Sequence, residues 1–174
     1  NISSGARVLA AREGATLFMV ALAAFAVVLG RHGGQDDVVV GTPVAGRSRS
    51  ELEPLIGLFL NTVVLRIDLA GDPTFRELIA RVRKVAVAAF DRQDTPFERV
   101  VEALQPDRDL GRYPIVPAPS ELYTPHDARV GAATEPTKAI TIDKGAAILD
   151  LSVHLAEGPG GIRGRLEYST ELFE

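Results

Sequence analysis

The stretch Ile56-Gly57-Leu58-Phe59-Leu60-Asn61-Thr62-Val63-Val64-Leu65-Arg66-Ile67-Asp68-Leu69 contains the clearest strand pattern in the chain. From Val63 onward every second side chain is large and apolar, and the positions between them are mostly charged. Because successive side chains of a strand point to opposite faces, this alternation predicts a strand over 61–69 with one buried face. Arg66 then lies on the polar face of that strand.

A turn and a helix follow this strand. Gly71-Asp72-Pro73 predicts the turn, with Asp72 as the helix N-cap and Pro73 as the first helical residue. Apolar side chains then recur at helical spacing up to residue 90, which predicts a helix with one buried face. We expect Glu77 and Arg81 to form an ion pair one turn apart on its outer face.

A second, shorter helix is predicted to begin at Thr95-Pro96-Phe97-Glu98. Thr95 can accept a hydrogen bond from the N3 amide, Glu98 can reach back to the cap, and Pro96 needs no partner at N1. An apolar stripe follows along one side of this helix.

Two elements are predicted before the strand. Residues 15–31 have the wide apolar face of a helix covered on more than one side, and His32-Gly33-Gly34 ends it. The apolar run Leu17–Leu29 is shorter than the roughly 20 residues of a membrane span, so a buried helix is favoured and no membrane contact is expected. Val38, Val39 and Val40 do not alternate with polar residues, which predicts a fully buried strand over 37–42.

The second half of the chain divides into a loop and a hairpin. Prolines punctuate residues 105–137, which predicts a long irregular loop, and Pro117 and Pro119 argue against a central strand there. Alternation returns at Ile148 and again after Ile162, on either side of the glycine-rich turn 157–161. This pattern predicts an antiparallel hairpin with one face in water. The element order as a whole predicts an α/β layered sandwich with a mixed sheet.

Composition restricts the class of protein. The chain has 174 residues, 46% hydrophobic and 24% charged, which is typical of one globular domain. Its net charge of −4 argues against nucleic-acid binding, which normally needs a basic face. It contains no cysteine, which excludes disulfides and cysteine-ligated metals and is compatible with the cytoplasmic location that we expect. Because Asn1 is no initiator, we expect a piece of a longer protein.

The sequence contains no evident self-contained active site. His32, His126 and His154 stand alone, with no neighbouring histidine or metal-like spacing to carboxylates, and a structural role is favoured for each. The sequence has no Gly-x-Ser-x-Gly, phosphate loop or dinucleotide fingerprint. Asp36 and Asp37 are interpreted as solvated charge before a strand. The residues alone predict no catalytic group and no metal site.

Five segments, in order, nonetheless resemble those of one family, the condensation domains of non-ribosomal peptide synthetases. They cover nearly the whole chain: the helix start 15–19 with the passage 35–47, Ile56–Thr62 with Arg66 as the fifth core motif, Gln93–Glu98 as the sixth, Arg108–Ile115 as an altered seventh, and the closing hairpin and turn 164–174.

The resemblance implies a V-shaped, two-lobed domain like chloramphenicol acetyltransferase, of which this chain would be the C-terminal lobe. Carrier proteins would deliver thioesters on phosphopantetheine arms to a tunnel between the lobes, where peptide bonds form. The catalytic His-His-x-x-x-Asp-Gly motif belongs to the N-terminal lobe, and this sequence does not contain it. We therefore expect the fragment to be inactive alone and to bind no cofactor itself. Its implied partners are the N-terminal lobe, peptidyl carrier proteins and a neighbouring adenylation domain, and self-association is expected.

The candidate cleft-lining residues are Asn61, Arg66, Gln93 and Asp94. Each also has a structural interpretation: Asn61 could secure the loop before its strand, Arg66 could form a pair near Asp68 or across the lobe boundary, and Gln93-Asp94 could shape the helix entry. Arg47 could meet an acidic partner or solvate its loop.

Two departures from the family pattern leave alternatives open. Ile115–Pro119 stands where the family usually has an apolar central strand, and Ile148 where it often has a lysine. The first departure predicts that a central strand is missing. The chain could therefore belong to a degenerate condensation-like module that binds a carrier or partner without catalysis, or to a relative that forms esters or epimerises an aminoacyl group.

Overall fold

The computed structural model describes residues 2–105, 120–123, 145–147, 149–158 and 161–173. Four helices and five strands lie in these ranges, together with a short 3₁₀ turn at Ser50–Leu52. In chain order they are α1 (Ile2–Arg12), α2 (Leu17–Gly33), β1 (Asp37–Val44), β2 (Asn61–Asp68), α3 (Phe75–Phe90), α4 (Phe97–Leu104), β3 (Ser120–Tyr123), β4 (Leu151–Gly158) and β5 (Gly161–Tyr168). The predicted elements are confirmed with small shifts of their ends, and α1 is an addition.

The five strands form one mixed sheet in the order β2-β1-β3-β4-β5. The β1–β2 and β4–β5 pairs are antiparallel, whereas β3 is parallel to both of its neighbours. The predicted mixed sheet and the closing hairpin are therefore confirmed. In the hairpin, Gly158 pairs with Gly161.

The position of β3 corrects the prediction of an unbroken loop over 105–137 and of a missing central strand. Ser120–Tyr123 pairs with β1 on one side and β4 on the other, and so occupies the centre of the sheet. The physical reason is local: the four residues of β3 contain no proline, so each keeps the backbone N–H that a central strand must donate. Pro117 and Pro119, with the rest of 106–119 and 124–144, lie outside the described residues.

The core lies between one face of the sheet and the helices α2 and α3. Val40, Leu65, Ile67, Leu78 and Ile79 are almost fully buried there. On β2 the buried side chains alternate with exposed ones, which confirms the sequence pattern. Six residues of α2 are buried, and three of them are small: Ala23, Ala26 and Gly30. The prediction of a buried core helix is therefore confirmed. Among the described helices, no single one is long and apolar enough to cross a membrane; α1 and α2 reach that standard only together, and they are bent by 108°.

The start of α3 differs from the prediction. Thr74, not Asp72, is the N-cap: its hydroxyl accepts from the Glu77 amide at 3.4 Å, and the Glu77 carboxylate accepts from the Thr74 amide at 2.8 Å. The Thr74 hydroxyl also donates to Oε2 of Glu77 at 2.7 Å, and this bond, together with the one from the Thr74 amide, lowers the pKa of Glu77 below its ordinary value. Asp72 has a φ of 47° and belongs to the turn, because the reciprocal cap is available two residues later. Arg81, predicted to pair with Glu77, donates instead to the carbonyl oxygens of Asp68 and Ala70.

Candidate functional site

The predicted site residues lie towards opposite ends of the β1–β2 pair. Asn61 is the first residue of β2 and pairs with Val44, the last residue of β1. Arg66 pairs with Val39, five residues further along β2. At about 3.3 Å per residue, Asn61 and Arg66 are separated by roughly 17 Å of strand. The structure therefore does not bring them into one site.

Asn61 joins the start of β2 to the turn before α4. Its side-chain Nδ2 donates to the carbonyl oxygen of Gln93 at 2.7 Å and to that of Thr95 at 2.8 Å. Its Oδ1 accepts from the backbone amide of Phe97 at 3.0 Å. A single half-buried amide side chain thus binds three backbone groups of a segment more than thirty residues away in sequence.

The predicted cap of α4 by Thr95 is wrong. The helix begins at Phe97, its N-cap residue is Pro96, and that residue makes no side-chain cap. Thr95 lies one position too early, and its amide instead closes a turn with the carbonyl oxygen of Arg92 at 3.0 Å. Asn61 takes over the capping role from outside the helix, since its oxygen accepts from the first helical amide.

Asp94 and Gln93 lie beside this contact. The hydroxyl of Ser48 donates to Oδ1 of Asp94 at 3.2 Å, which ties the same turn to the residues after β1. Gln93 contributes its carbonyl oxygen to Asn61. The structure therefore brings together three of the four predicted residues, Asn61, Gln93 and Asp94, and adds Ser48. Sequence reasoning missed Ser48 because a serine in a polar loop gives no signal of a partner 46 positions away.

Arg47 organises the loop between β1 and β2. Its guanidinium donates to the carbonyl oxygens of Leu52, Glu53 and Gly57, the last at 3.3 Å, and lies 4.4 Å from the ring centroid of Phe59. Five fixed donors suit arginine for holding several carbonyl oxygens at once. The two interpretations made from sequence, an acidic partner and plain solvation, both overlooked this internal role.

Gly46 allows the loop to close beside Arg47. Its φ is 63°, in the left-handed region, and a Cβ added there would lie 1.7 Å from the carbonyl oxygen of Phe59. Only glycine has the conformational freedom and the space that this position requires.

This loop presents apolar side chains to solvent. Ile56 is fully exposed and Leu58 is 86% exposed, while Leu60, just before Asn61, is 62% exposed. The neighbouring helix α4 has an apolar stripe and no buried residue, and its Leu104 is 61% exposed. Clustered apolar exposure of this kind is typical of surfaces that contact another protein, a membrane or a ligand.

Arg66 is engaged within its own sheet. Its Nε lies 2.9 Å from Oδ1 of Asp37, and its Nη2 lies 2.7 Å from Oδ2 of the same carboxylate. These hydrogen bonds lower the pKa of Asp37 and raise the pKa of Arg66. Asp37, interpreted from sequence as solvated charge, is instead half of an exposed cross-strand pair.

The described residues hold no other evident catalytic group. His154 is half-buried on β4 opposite Arg165 of β5, and His32 is exposed in the last turn of α2. Within the same ranges, no cluster of three or more His, Cys, Asp or Glu side chains could hold a metal ion. His126, Ile148 and the altered seventh motif lie outside the described residues.

The family model named "Condensation domain" matches residues 2–174. The chain therefore belongs to the condensation-domain family, as its motifs predicted.

Similar proteins agree with this assignment. The chain is 47% identical over 171 residues to a linear gramicidin synthase of Brevibacillus parabrevis, covering 95% of the chain and 3% of that protein. It is 44% identical to malpinin synthetase of Mortierella alpina, covering 100% of the chain and 2% of that protein. The chain thus spans a few hundredths of the length of these relatives.

Solved structures share the fold. A four-domain nonribosomal peptide synthetase, holo-AB3403, matches with a TM-score of 0.87 and 27% identity over 99% of this chain and 14% of its own. The X-domain from teicoplanin biosynthesis matches with a TM-score of 0.79 and 32% identity, covering 97% of this chain and 39% of its own. The predicted α/β fold class of this family is confirmed.

Proposed function

We propose that this chain is the C-terminal lobe of a condensation domain and forms one wall of the cleft in which peptide bonds are made. The observation that carries the proposal is a difference in coverage. The chain is matched over 97% of its length by the X-domain but accounts for only 39% of that protein. A fragment of this size, whose motifs run in order to the closing hairpin, corresponds to one lobe of a larger unit.

The uncovered end of the sheet supports this proposal. The exposed side chains of Ile56, Leu58 and Leu60 lie in a loop that Arg47 holds in a defined shape. A preformed apolar surface is suited to a partner that is always present, and the N-terminal lobe of the same domain is that partner in our proposal. Without it, the same surface favours the self-association that we expect of the isolated chain.

The proposed reaction is amide formation between two carrier-bound groups. The amine nitrogen of the acceptor attacks the thioester carbonyl carbon of the donor, the carbon–sulfur bond breaks, and the nitrogen loses one proton as the donor's thiol is released. Both phosphopantetheine arms belong to partner carrier proteins, so this lobe needs no cofactor of its own. The histidine that assists the proton transfer is expected in the N-terminal lobe, and we assign no catalytic residue to this chain.

The lobe would contribute orientation and exclusion of water. Holding two reactants in line removes much of the entropic barrier of a bimolecular step, and a closed cleft prevents hydrolysis of the thioester. We propose that Asn61, Gln93 and Asp94 belong to the cleft wall, because they lie together beside the apolar loop. Arg66, at the other end of β2, has the least support as a cleft residue.

The partners follow from the same proposal. We expect carrier proteins and a neighbouring adenylation domain in the same multidomain enzyme, working in the cytoplasm.

The experiment that tests the proposal is reconstitution of the full domain. This chain, extended by its N-terminal lobe, is mixed with two carriers loaded with aminoacyl thioesters, and the dipeptidyl product is followed by mass spectrometry. We expect product with the full domain and none with residues 1–174 alone. A correctly folded full domain that makes no product with several donor and acceptor pairs would contradict the proposal.

A further inference from the structure

We propose that Asn61 is a positioning residue, which fixes the turn at 91–95 and the start of α4 against the sheet and against the loop between β1 and β2. This inference rests on the proposed function, because the position that Asn61 fixes matters for catalysis only if this end of the sheet forms the cleft.

The side chain of Asn61 makes three hydrogen bonds with one short segment. An asparagine side chain offers two N–H donors and one carbonyl acceptor. Both carbonyl contacts of Nδ2, at 2.7 and 2.8 Å, and the Phe97 contact of Oδ1, at 3.0 Å, have good lengths for hydrogen bonds. The side chain thus uses its donor and its acceptor atom on the same turn, which a merely solvated asparagine would not do.

The loop before Asn61 is tied to the same turn at both of its ends. Ser48, near the start of the loop, donates to Asp94 at 3.2 Å. Asn61, directly after the loop, holds Gln93 and Thr95 on either side of Asp94. Any shift of the turn therefore pulls on both ends of the segment that carries the exposed apolar side chains.

A hydrogen bond joins α4 to the sheet at the beginning of the helix. No residue of α4 is fully buried, so packing alone fixes its direction weakly. Its N-cap residue, Pro96, offers no side-chain oxygen. We therefore expect the hydrogen bond from the Phe97 amide to Asn61 to be important in fixing the direction of this helix.

The test replaces Asn61 in the full condensation domain and compares it with a cap at the other end of the lobe. Asn61→Ala removes all three hydrogen bonds, while Thr74→Ala removes the ordinary cap of α3. A lost cap typically costs about 1 kcal/mol of stability, so both variants are expected to fold with similar, modest losses in Tm. Because a misplacement of about 1 Å can cost about 100-fold in rate, we expect Asn61→Ala to lower kcat about 10- to 100-fold. The KM for each carrier should change much less, and Thr74→Ala should leave kcat unchanged.

A second variant separates positioning from general destabilisation. Asn61→Asp keeps an acceptor for the Phe97 amide but faces the carbonyl oxygens of Gln93 and Thr95 with negative charge. That repulsion favours the neutral acid, whose O–H can donate to one of the carbonyls, so the pKa of the new carboxyl is raised. The ratio of kcat for Asn61→Asp to kcat for the parent should therefore rise as pH falls from about 8 to about 5.5. A ratio that stays flat, together with equal kcat losses in Asn61→Ala and Thr74→Ala, would overturn the inference.

Hydrogen exchange distinguishes this inference from the proposed function. If the parent domain makes no amide, the proposed function fails, and exchange still tests the anchor. Asn61→Ala should speed exchange at the amides of residues 97–100 and of the loop 48–60, whereas Thr74→Ala should affect only the start of α3. Unchanged exchange at 97–100 in Asn61→Ala would contradict the anchor itself.

Discussion

The two ends of the β1–β2 pair are built differently. At the end that contains Asp37 and Asp68, polar groups find partners nearby: Asp37 binds Arg66 across the strands, and Thr74 and Glu77 cap α3 within their own turn. At the end that contains Asn61, the helix cap comes from a distant strand. At the first end, these contacts are made between residues of this chain. The second carries a preformed apolar loop, which is expected of a surface that another segment covers.

The substitution expected to disturb the Asn61 end most is Gly46→Ala. Gly46→Ala places a methyl group against the Phe59 carbonyl and forces alanine into a left-handed backbone, which costs on the order of 1–3 kcal/mol for the strain alone. We expect the 47–60 loop to lose its shape, with rapid proteolysis there and loss of most amide formation by the full domain.

Gly33 provides the matched control for Gly46. It lies at the end of α2, and an added Cβ there meets nothing within 4 Å. Gly33→Ala should therefore leave the rate of proteolysis and the amount of amide formation close to those of the parent. Equal proteolysis of both variants would show that the loop is not specifically held.

A smaller effect is expected from the exposed apolar side chains themselves. Ile56→Ser with Leu58→Ser removes groups that are almost wholly exposed in this chain, so the Tm of residues 1–174 should hardly change. In the full domain each side chain is expected to be covered, and burial of one such side chain is worth about 1.5–3 kcal/mol. The double variant should therefore lower the Tm of the full domain, as measured by calorimetry. An equal change in both proteins would contradict a covered surface.

The smallest expected effect is the pH dependence of the Asp37–Arg66 pair. Since the hydrogen bonds from Arg66 lower the pKa of Asp37 in the folded state, the pair contributes stability above the ordinary pKa of an aspartate. That contribution is lost as pH falls from this value through the lowered one. Both side chains are more than half exposed, so the contribution is small and falls with salt. Asp37→Asn should remove this part of the acid dependence of Tm while leaving amide formation unchanged.

The sequence predicted the elements whose pattern is periodic and missed the contacts that depend on distant partners. The alternation on β2 and the helical spacing of α3 gave their buried faces correctly. The predictions of the two helix caps were wrong for different reasons. At α3 two candidate caps lie two residues apart, and the reciprocal pair of Thr74 and Glu77 decides between them. At α4 the cap is Asn61, which no local rule can find.

The central strand shows the same limit. The proline argument concerns Pro117 and Pro119, which lie outside the described residues, and it says nothing about Ser120–Tyr123, which follows directly. Four residues are too few for a periodic signal, and their strand conformation comes from pairing with β1 and β4. For the site, resemblance to the family selected Asn61, Arg66, Gln93 and Asp94. The structure supplied the hydrogen bond from Asn61 to Gln93 and the one from Ser48 to Asp94, and it places Arg66 further along β2.

Hydrogen exchange of residues 1–174, alone and within the full condensation domain, is the measurement that tests the contrast between the two ends most directly. We predict that the full domain slows exchange in the loop 48–60 and in α4 and leaves the segment 68–76 unchanged. Protection that appears at 68–76 instead, or no difference at 48–60, would contradict the claim that the N-terminal lobe covers the Asn61 end.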